Sequence, residues 1–467
     1  MKNKDLTTGS IPLHVRDLAL PSSIGLFFHT MYNNVDTYYA GQESTTALAA
    51  VGLSFPVFLL VIAASSGLSR GAAGLISNAI GAGQGSDQKR YTAQSLSVGL
   101  TLSVLLAITG LAISGPIFQF LGAEGEYLRL AKSYIDPIFL GSVFFIVSSL
   151  SNAILSSSGD TKTYGFVLIV GFFLNLILDP WFMKGGYGLQ AMGVAGIAWA
   201  TVIIQFLGST FLLYTVFRRG LLAFSDLRAL IPDLKTWREI AVQALPATFN
   251  VMSIAIGFFA VTWFLKRFGE PAVAAYSVTT RIEQIALMPT FGLYAAIMAL
   301  VGQNNGAGKI TRVRETMKFC NIIGFSVNVV MASLMFIFSP QLMSIFTTDE
   351  KVIELGVTCL NVIAPIHWSY IMTSTHMAML QAVKRPSYGF FESIMRKIIL
   401  PLPILWLLIV IWQKDIVWIW YCNAVINVLM TAVTICYARR VLSGLAESDS
   451  AESDSVNADQ SSKAATS

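Results

Sequence analysis

The stretch that decides the fold is LALPSSIGLFFHTMYNNVDTYYAG, residues 18–41. It is mainly apolar and long enough to cross the ~30 Å hydrocarbon core of a bilayer as one helix. It holds a proline, Pro21, near its start and a carboxylate, Asp36, near its end. A charge inside the bilayer costs at least ~2.5 kcal/mol on insertion scales. Asp36 therefore indicates a functional site, unless it lies at the helix end and reaches water.

The composition of the whole chain agrees with a membrane protein. Of the 467 residues, 54% are apolar and 12% are charged, whereas a soluble domain has about 25% charged residues. The ~10-residue alternating segments of a membrane β-barrel are missing, so we predict an all-α membrane protein. Twelve membrane-spanning helices are predicted, at residues 17–40, 47–80, 91–116, 127–153, 163–183, 190–217, 237–266, 271–304, 315–338, 352–381, 387–412 and 415–438.

The basic residues predict the orientation of these helices. Most of the 31 Lys and Arg fall in the tails and the even-numbered connections, for example Arg218/Arg219 and Arg396/Lys397. Basic residues collect on the cytoplasmic side, so we expect a multi-pass protein of the inner (plasma) membrane with both termini in the cytoplasm. This distribution accounts for the net charge of +5 without a nucleic-acid partner. Only Arg70 and Arg281 are predicted to lie well inside spans.

The sequence also contains an internal repeat. A shift of 225 positions places Ala19-Leu20-Pro21 on Ala244-Leu245-Pro246, and Gly81-Ala82-Gly83 on Gly306-Ala307-Gly308. Six helices per half give both halves one orientation, as in transporters whose two pseudo-symmetric lobes enclose a central cleft. We predict a cytoplasmic N-terminal segment (1–16), an N-lobe (17–217), a cytoplasmic linker (218–236), a C-lobe (237–440) and an acidic, disordered C-terminal tail (441–467).

The repeat leaves Asp36 without a counterpart, because the same shift places it on Val261. A second intramembrane carboxylate is Asp179, which stands before Pro180 and is either functional or a helix-end residue. Polar residues on neighbouring spans are candidate partners, namely Asn175, Thr201, Gln205 and Asn152. Two adjacent carboxylates resist double ionisation, so such a site can carry a proton. The same oxygens could instead bind a small hard cation such as Na⁺.

The sequence gives no indication of an enzyme. We find no grouping of a nucleophile with a base, and the four cysteines lack metal-ligand spacing. The glycine-rich GAGQG and NNGAGK follow helices rather than strands, so they do not predict a phosphate-binding loop. We expect no catalytic residues, no metal centre and no cofactor other than a coupling ion.

Four motifs resemble the multidrug and toxic compound extrusion (MATE) family, and within it the DinF-like branch. They are VDTYYAG at the end of helix one, GAGQG after helix two, SSSGDTK before helix five and NLILDP within it. The resemblance implies export of lipophilic, often cationic compounds in exchange for H⁺ or Na⁺. By motif match it implies that Asp36 and Asp179 bind the ion, with Asn175 and Thr201 nearby, and that helix one bends at Pro21. We expect a monomer.

The family's other main branch places cation-binding acids in helices seven and ten. Here span seven has no acid in its interior and span ten has only Glu354 near its outer end, which argues against a Na⁺ site in the C-lobe. Two transport alternatives stay open. One is Na⁺-coupled export through the same N-lobe site. The other is a flippase for a lipid-linked substrate, which would favour a strongly cationic cleft.

Overall fold

The fold is described from a computed structural model that covers residues 5–186, 188–223 and 229–465, with side chains as far as Glu447. These residues form helices and no β-sheet. The long helices in chain order are α1 (Ile11–Glu43), α2 (Thr45–Gly81), α3 (Gly85–Phe120), α4 (Gly125–Leu140 and Ser142–Ser157), α5 (Lys162–Lys184), α6 (Val194–Arg218), α7 (Leu234–Phe268), α8 (Glu270–Gly306), α9 (Ile310–Ile337), α10 (Glu350–Ile366 and Trp368–Ala382), α11 (Ser387–Ile411) and α12 (Val417–Ala465). A short helix, Ser339–Ser344, lies between α9 and α10.

Each predicted span corresponds to one of these helices. Within the covered residues, nine helices are long and apolar enough to cross a membrane, and the bent pairs α4 and α10 bring the number to eleven. The twelfth is α1, which is long enough but too polar to meet the same hydropathy criterion. The polar residues responsible include Asn33, Asn34 and Asp36. The predicted all-α membrane fold is confirmed.

Three of the predicted spans are irregular. Helix α4 bends by 48° at Gly141, and α10 bends by 51° next to Pro365. Proline removes a backbone hydrogen bond and clashes with the preceding turn, which explains the bend in α10. Helix α11 contains two π-helical stretches, Met395–Ile399 and Trp406–Ile411. Turns of this kind are frequent at functional sites.

The two lobes meet through glycines that follow the 225-residue repeat. A Cβ on Gly67 would overlap Thr248, and a Cβ on the equivalent Gly292 would overlap Ser23, which is itself equivalent to Thr248. In the same way Gly81 lies against Gln303, and its equivalent Gly306 lies against Asn78, which is the equivalent of Gln303. Each contact from the N-lobe to the C-lobe is therefore matched by one in the opposite direction, as expected for two lobes related by a pseudo-twofold axis.

The contacts of Gly81 and Gly306, the last residues of α2 and α8, lie at one end of the molecule, which we call the linker face. It comprises the described connecting residues 82–84, 219–223, 229–233 and 307–309, and it is the face predicted to be cytoplasmic. Gln94 of α3 donates to the backbone oxygens of Ala229 and Ile231, which holds part of the 219–233 connection on the N-lobe. The lobes are closed against each other at the linker face in this structure.

An N-terminal strap crosses from the N-lobe to the C-lobe at the linker face. The strap, Asp5–Ser10, precedes α1, which begins at Ile11 rather than at the predicted residue 17. Leu6 is fully buried; its N–H donates to Gln303 Oε1 at 3.1 Å, and Asn304 Nδ2 donates to its carbonyl oxygen. The backbone N–H and the hydroxyl of Thr7 donate to Asp5 and hold the pKa of its carboxyl below its usual value.

The C-terminal end differs from the prediction over residues 441–447. The sequence predicts that the C-lobe ends at residue 440, but α12 continues through this segment and its backbone is helical to Ala465. Val441, Leu442 and Leu445 pack against the C-lobe core. Their apolar stripe was missed because the acidic repeat that suggested disorder starts only at Ala446. The predicted disorder of the rest of the tail stays a prediction, because its side chains lie outside those described.

Candidate ion-coupling site in the N-lobe

Close packing of α1 on α5 brings the two intramembrane carboxylates to one place. A Cβ on Gly25 would lie 2.9 Å from Gly165 Cα, and a Cβ on Gly165 would lie 2.8 Å from the carbonyl oxygen of Pro21. Glycines at such crossings let two helix backbones approach closely. Farther along both helices, Asp36 in the last turns of α1 faces Asp179 on α5.

One amide group joins the two carboxylates. Asn175 Nδ2 donates to Asp36 Oδ1 at 2.9 Å and to Asp179 Oδ1 at 2.8 Å. Thr201 Oγ1 of α6 donates to Asp36 Oδ2 at 3.2 Å. Asp36 is only 3% exposed, and Asp179 and Asn175 are fully buried. Asp36 therefore does not lie in the lipid or in bulk water.

The site offers more acceptors than donors. The two carboxyl groups are close enough to share a hydrogen bond when one of them carries a proton. Asp179 Oδ2 and Asn175 Oδ1 are buried without a hydrogen-bond partner among the described residues. Neither carboxylate forms an ion pair with a described basic residue. Buried acceptors in this state need a proton, a cation or a water, so the arrangement is suited to loading and unloading a small ion.

Tyr134 is a further contact that sequence reasoning missed. Its hydroxyl, in the first segment of α4, donates to Asp36 Oδ2 at 3.3 Å. The nearby Asp136 does not take part: its carboxylate lies 3.3 Å from Lys132 Nζ and accepts from Ser114 at 2.9 Å. The signal for Tyr134 was weak, because its contact depends on how the bent helix α4 packs against α1.

The other predicted residues are less closely associated with the site. Asn152 lies eighteen residues beyond Tyr134, about 27 Å farther along α4 at 1.5 Å per residue. Neither Asn152 nor Gln205 is hydrogen-bonded to the carboxylates in the described chain, and both are half-buried. Pro21 lies inside a continuous α1, ten residues or nearly three turns after its first residue, Ile11.

Arg396 and Lys397 lie elsewhere than the sequence suggested. The prediction counted them among the cytoplasmic clusters, but they are inside α11, about 14 Å from its first residue. Arg396 forms an ion pair with the fully buried Glu392 at 2.7 Å, and Lys397 Nζ donates to Ser253 Oγ at 3.1 Å. The predicted span also begins at residue 387, but adjacent basic residues usually flank a span, so the pair was assigned to the connection.

We expect the Asn175→Ala variant to weaken ion coupling. Without the shared amide, both carboxylates lose a donor and face each other unshielded, so the ionised form of the pair becomes less favourable. Ion-driven substrate flux measured in vesicles should fall about tenfold, the effect of ~1.4 kcal/mol. The matched control is Asn152→Ala, which should leave the flux unchanged. Equal losses in the two variants would contradict a special role for Asn175.

Two repeated six-helix lobes, with a buried carboxylate pair between helices of the N-lobe, are features found in secondary transporters. A model of the MatE family matches residues 21–181 and again residues 246–407. The matches begin at the equivalent prolines, Pro21 and Pro246, and so repeat the displacement of 225. The chain belongs to the MATE family of membrane transporters, and it is a transporter rather than an enzyme.

Known proteins resemble the chain over most of its length. "Probable multidrug resistance protein NorM" of Thermotoga maritima is 31% identical over 360 residues, which is 77% of each chain. The "FAD transporter" of Shewanella oneidensis is 25% identical over 398 residues, 83% of this chain and 86% of the relative. A crystal structure of MATE in complex with MaL6 aligns with a TM-score of 0.87 at 25% identity, covering 96% of this chain and 100% of that one.

Proposed function

We propose that the protein is a multidrug efflux transporter of the DinF-like branch, which exports lipophilic, often cationic compounds by antiport with H⁺. The family membership and the multidrug relative support the export of drugs. The observation that supports coupling to H⁺ is the buried pair Asp36–Asp179. Asn175 donates to both carboxylates, and Thr201 donates to Asp36.

The proposed cycle uses the pair as the proton carrier. In the state open to the outside, H⁺ enters and neutralises the site. Helix α1 then bends near Pro21, the N-lobe cavity shrinks and the drug leaves. The lobes rock, the proton leaves to the cytoplasm and a new drug enters. One charge moving inward gains about 2.3 kcal/mol per 100 mV, which supports roughly fortyfold accumulation of a neutral drug at tenfold per 1.4 kcal/mol.

Na⁺ coupling through the same residues is the second candidate. The observation that favours it is the pair of unpartnered oxygens, Asp179 Oδ2 and Asn175 Oδ1, beside the oxygens of Asp36. Several carboxylate and amide oxygens form the kind of ligand set that hard cations take. A flippase for a lipid-linked substrate is a further alternative, and the position of Lys397 inside α11 makes the C-lobe more cationic than the sequence suggested.

The proposed setting is the inner membrane, with both termini in the cytoplasm and the transporter acting as a monomer. Basic residues at the linker face support this orientation, among them Lys89, Arg90, Arg218 and Arg219. The lipid bilayer and small-molecule drugs are then its partners. In this orientation the closed linker face blocks access from the cytoplasm.

The test uses the purified protein in sealed vesicles with a fluorescent lipophilic cation. We expect an imposed pH gradient to drive transport of the dye at zero Na⁺, and an imposed Na⁺ gradient at constant pH to drive little. Transport that responds to Na⁺ alone would replace H⁺ by Na⁺ in the proposal. Dye movement that responds to neither gradient would overturn antiport.

A further inference from the structure

Charges are unbalanced in the C-lobe around the π-helical stretch of α11. Arg396 and Lys397 lie in that stretch, and Arg70 lies on α2 between Gly67 and Gly71, which pack on Thr248 and Ala244 of α7. One carboxylate, Glu392, lies among these three cations and pairs with Arg396. The other intramembrane carboxylate of this lobe, Glu283, forms no ion pair with them in the described chain. A surplus of cations in a membrane-spanning region is costly without an anion.

Lys397 lacks hydrogen-bond acceptors. An ammonium has three donors, yet the contact of Lys397 Nζ in the described structure is the hydroxyl of Ser253. The Lys397 stem packs on Gly257, where a Cβ would lie 3.3 Å from Lys397 Cβ, so the ammonium is held between α7 and α11. Two of its N–H groups are therefore free to donate to an anionic group.

Arg70 likewise has no carboxylate partner among the described residues. Its guanidinium lies 4.6 Å from the centroid of the Tyr294 ring on α8, and it makes no hydrogen bond or ion pair with the described residues. A cation over an aromatic face is stabilised by the ring quadrupole, but all its N–H donors stay available. The part of α2 that carries Arg70 packs on Thr248 of α7, and Lys397 of α11 donates to Ser253, five residues or about 7.5 Å farther along the same helix. Arg70 of the N-lobe and Lys397 of the C-lobe therefore both lie beside α7 at the lobe boundary.

We propose that Lys397 and Arg70 form a binding subsite for an anionic group, a carboxylate or a phosphate, on the transported solute. This inference rests on the proposed transport function and adds a substrate class to it. The N-lobe supplies the acidic pair Asp36–Asp179, and the boundary with the C-lobe supplies unpaired cations. The protein therefore carries amphipathic solutes with an anionic end, in addition to purely cationic ones.

The experiment compares two dyes that differ in one charge, a rhodamine with a free carboxylate and its ethyl ester. In vesicles that contain the full-length protein, Lys397→Gln should lower export of the free acid about tenfold, equivalent to ~1.4 kcal/mol, and leave export of the ester within about twofold. Lys397→Arg should restore export of the acid because it restores the charge. Lys266→Gln, at an exposed position on α7, should change neither dye.

Export of the ester shows that a variant is folded, so each outcome bears on the proposal. Unchanged export of the acid by Lys397→Gln, or equal loss of both dyes with no rescue by arginine, would overturn the subsite and leave drug export standing. Failure of the parent protein to export either dye would overturn the proposed function and the subsite together. A parallel assay follows a fluorescent anionic phospholipid across the bilayer. Movement that depends on Lys397 would identify the anion as a lipid phosphate, and no movement would identify it as the carboxylate of a soluble solute.

Discussion

Replacing Asp36 by asparagine is expected to abolish ion-driven export while the protein still folds and inserts. Asparagine has the same shape but cannot ionise, so it can no longer exchange a proton with Asp179. The surrounding hydrogen bonds can persist, because its oxygen still accepts from Asn175 and the hydroxyls of Thr201 and Tyr134 can accept from its NH₂ group. Removing a buried charge also removes its desolvation cost, so the thermal unfolding midpoint should not fall.

The measurement is transport of a fluorescent cation driven by an imposed pH gradient. We expect Asp36→Asn to reduce the gradient-dependent part to background, whereas dye binding to the purified protein persists. The matched control is Asp136→Asn on α4, a half-buried carboxyl that pairs with Lys132 and should keep most of the transport. Parental gradient-driven flux in Asp36→Asn would contradict the mechanism.

Much of the N-lobe site could be predicted from the sequence because it follows local rules. Asn175 and Asp179 are four residues apart, so they share a helix face in any helix that contains them. Asp36 stands out because a lone carboxylate in an apolar segment needs a compensating environment. Tyr134 was missed because its contact depends on the packing of a bent helix, and helix bends are not contained in the hydropathy pattern.

The positions of the charged residues in the C-lobe could not be predicted from hydropathy. Hydropathy predicted a span over residues 387–412, but the Arg396/Lys397 pair inside it was assigned to a connection because basic pairs usually flank spans. What stabilises this pair in the membrane is the buried Glu392 one turn before Arg396 and the Ser253 hydroxyl on α7. The contact with Ser253 depends on the packing of α7 on α11, and Glu392 is effective only because the helix places it one turn from Arg396. The hydropathy pattern contains neither relationship.

The 225-residue repeat is reflected in the contacts between the lobes as well as in their number. Its register of 225 predicted two lobes, and the same register reappears in the contacts Gly81–Gln303 and Gly306–Asn78. The strap Asp5–Ser10 was not predictable in this way, because it has no equivalent in the second half. The position of the strap follows from Leu6, whose side chain is fully buried in the hydrophobic core that consists mainly of C-lobe residues.

Gly302→Val should open the linker face and impair export. Position 302 is the repeat equivalent of Ser77, and the two touch each other, so the contact lies on the pseudo-twofold axis. A Cβ on Gly302 would overlap the Ser77 side chain, with Asn78 Nδ2 at 3.7 Å leaving little room to shift. Overpacking of this kind costs about 1–3 kcal/mol, which at tenfold per 1.4 kcal/mol lowers the ratio of closed to open protein at this face by roughly 5- to 150-fold.

The matched control for Gly302→Val is Gly52→Val, because a Cβ on Gly52 of α2 meets nothing within 4 Å. Spin labels at Ser86 and Thr311, exposed positions on opposite lobes at the linker face, report the separation of the lobes after Cys436 is replaced by serine. We expect a longer distance and export reduced at least tenfold in Gly302→Val, and parental values in Gly52→Val. A parental distance in Gly302→Val would mean that the axis contact does not hold the lobes together, because a valine there would then be accommodated without separating them.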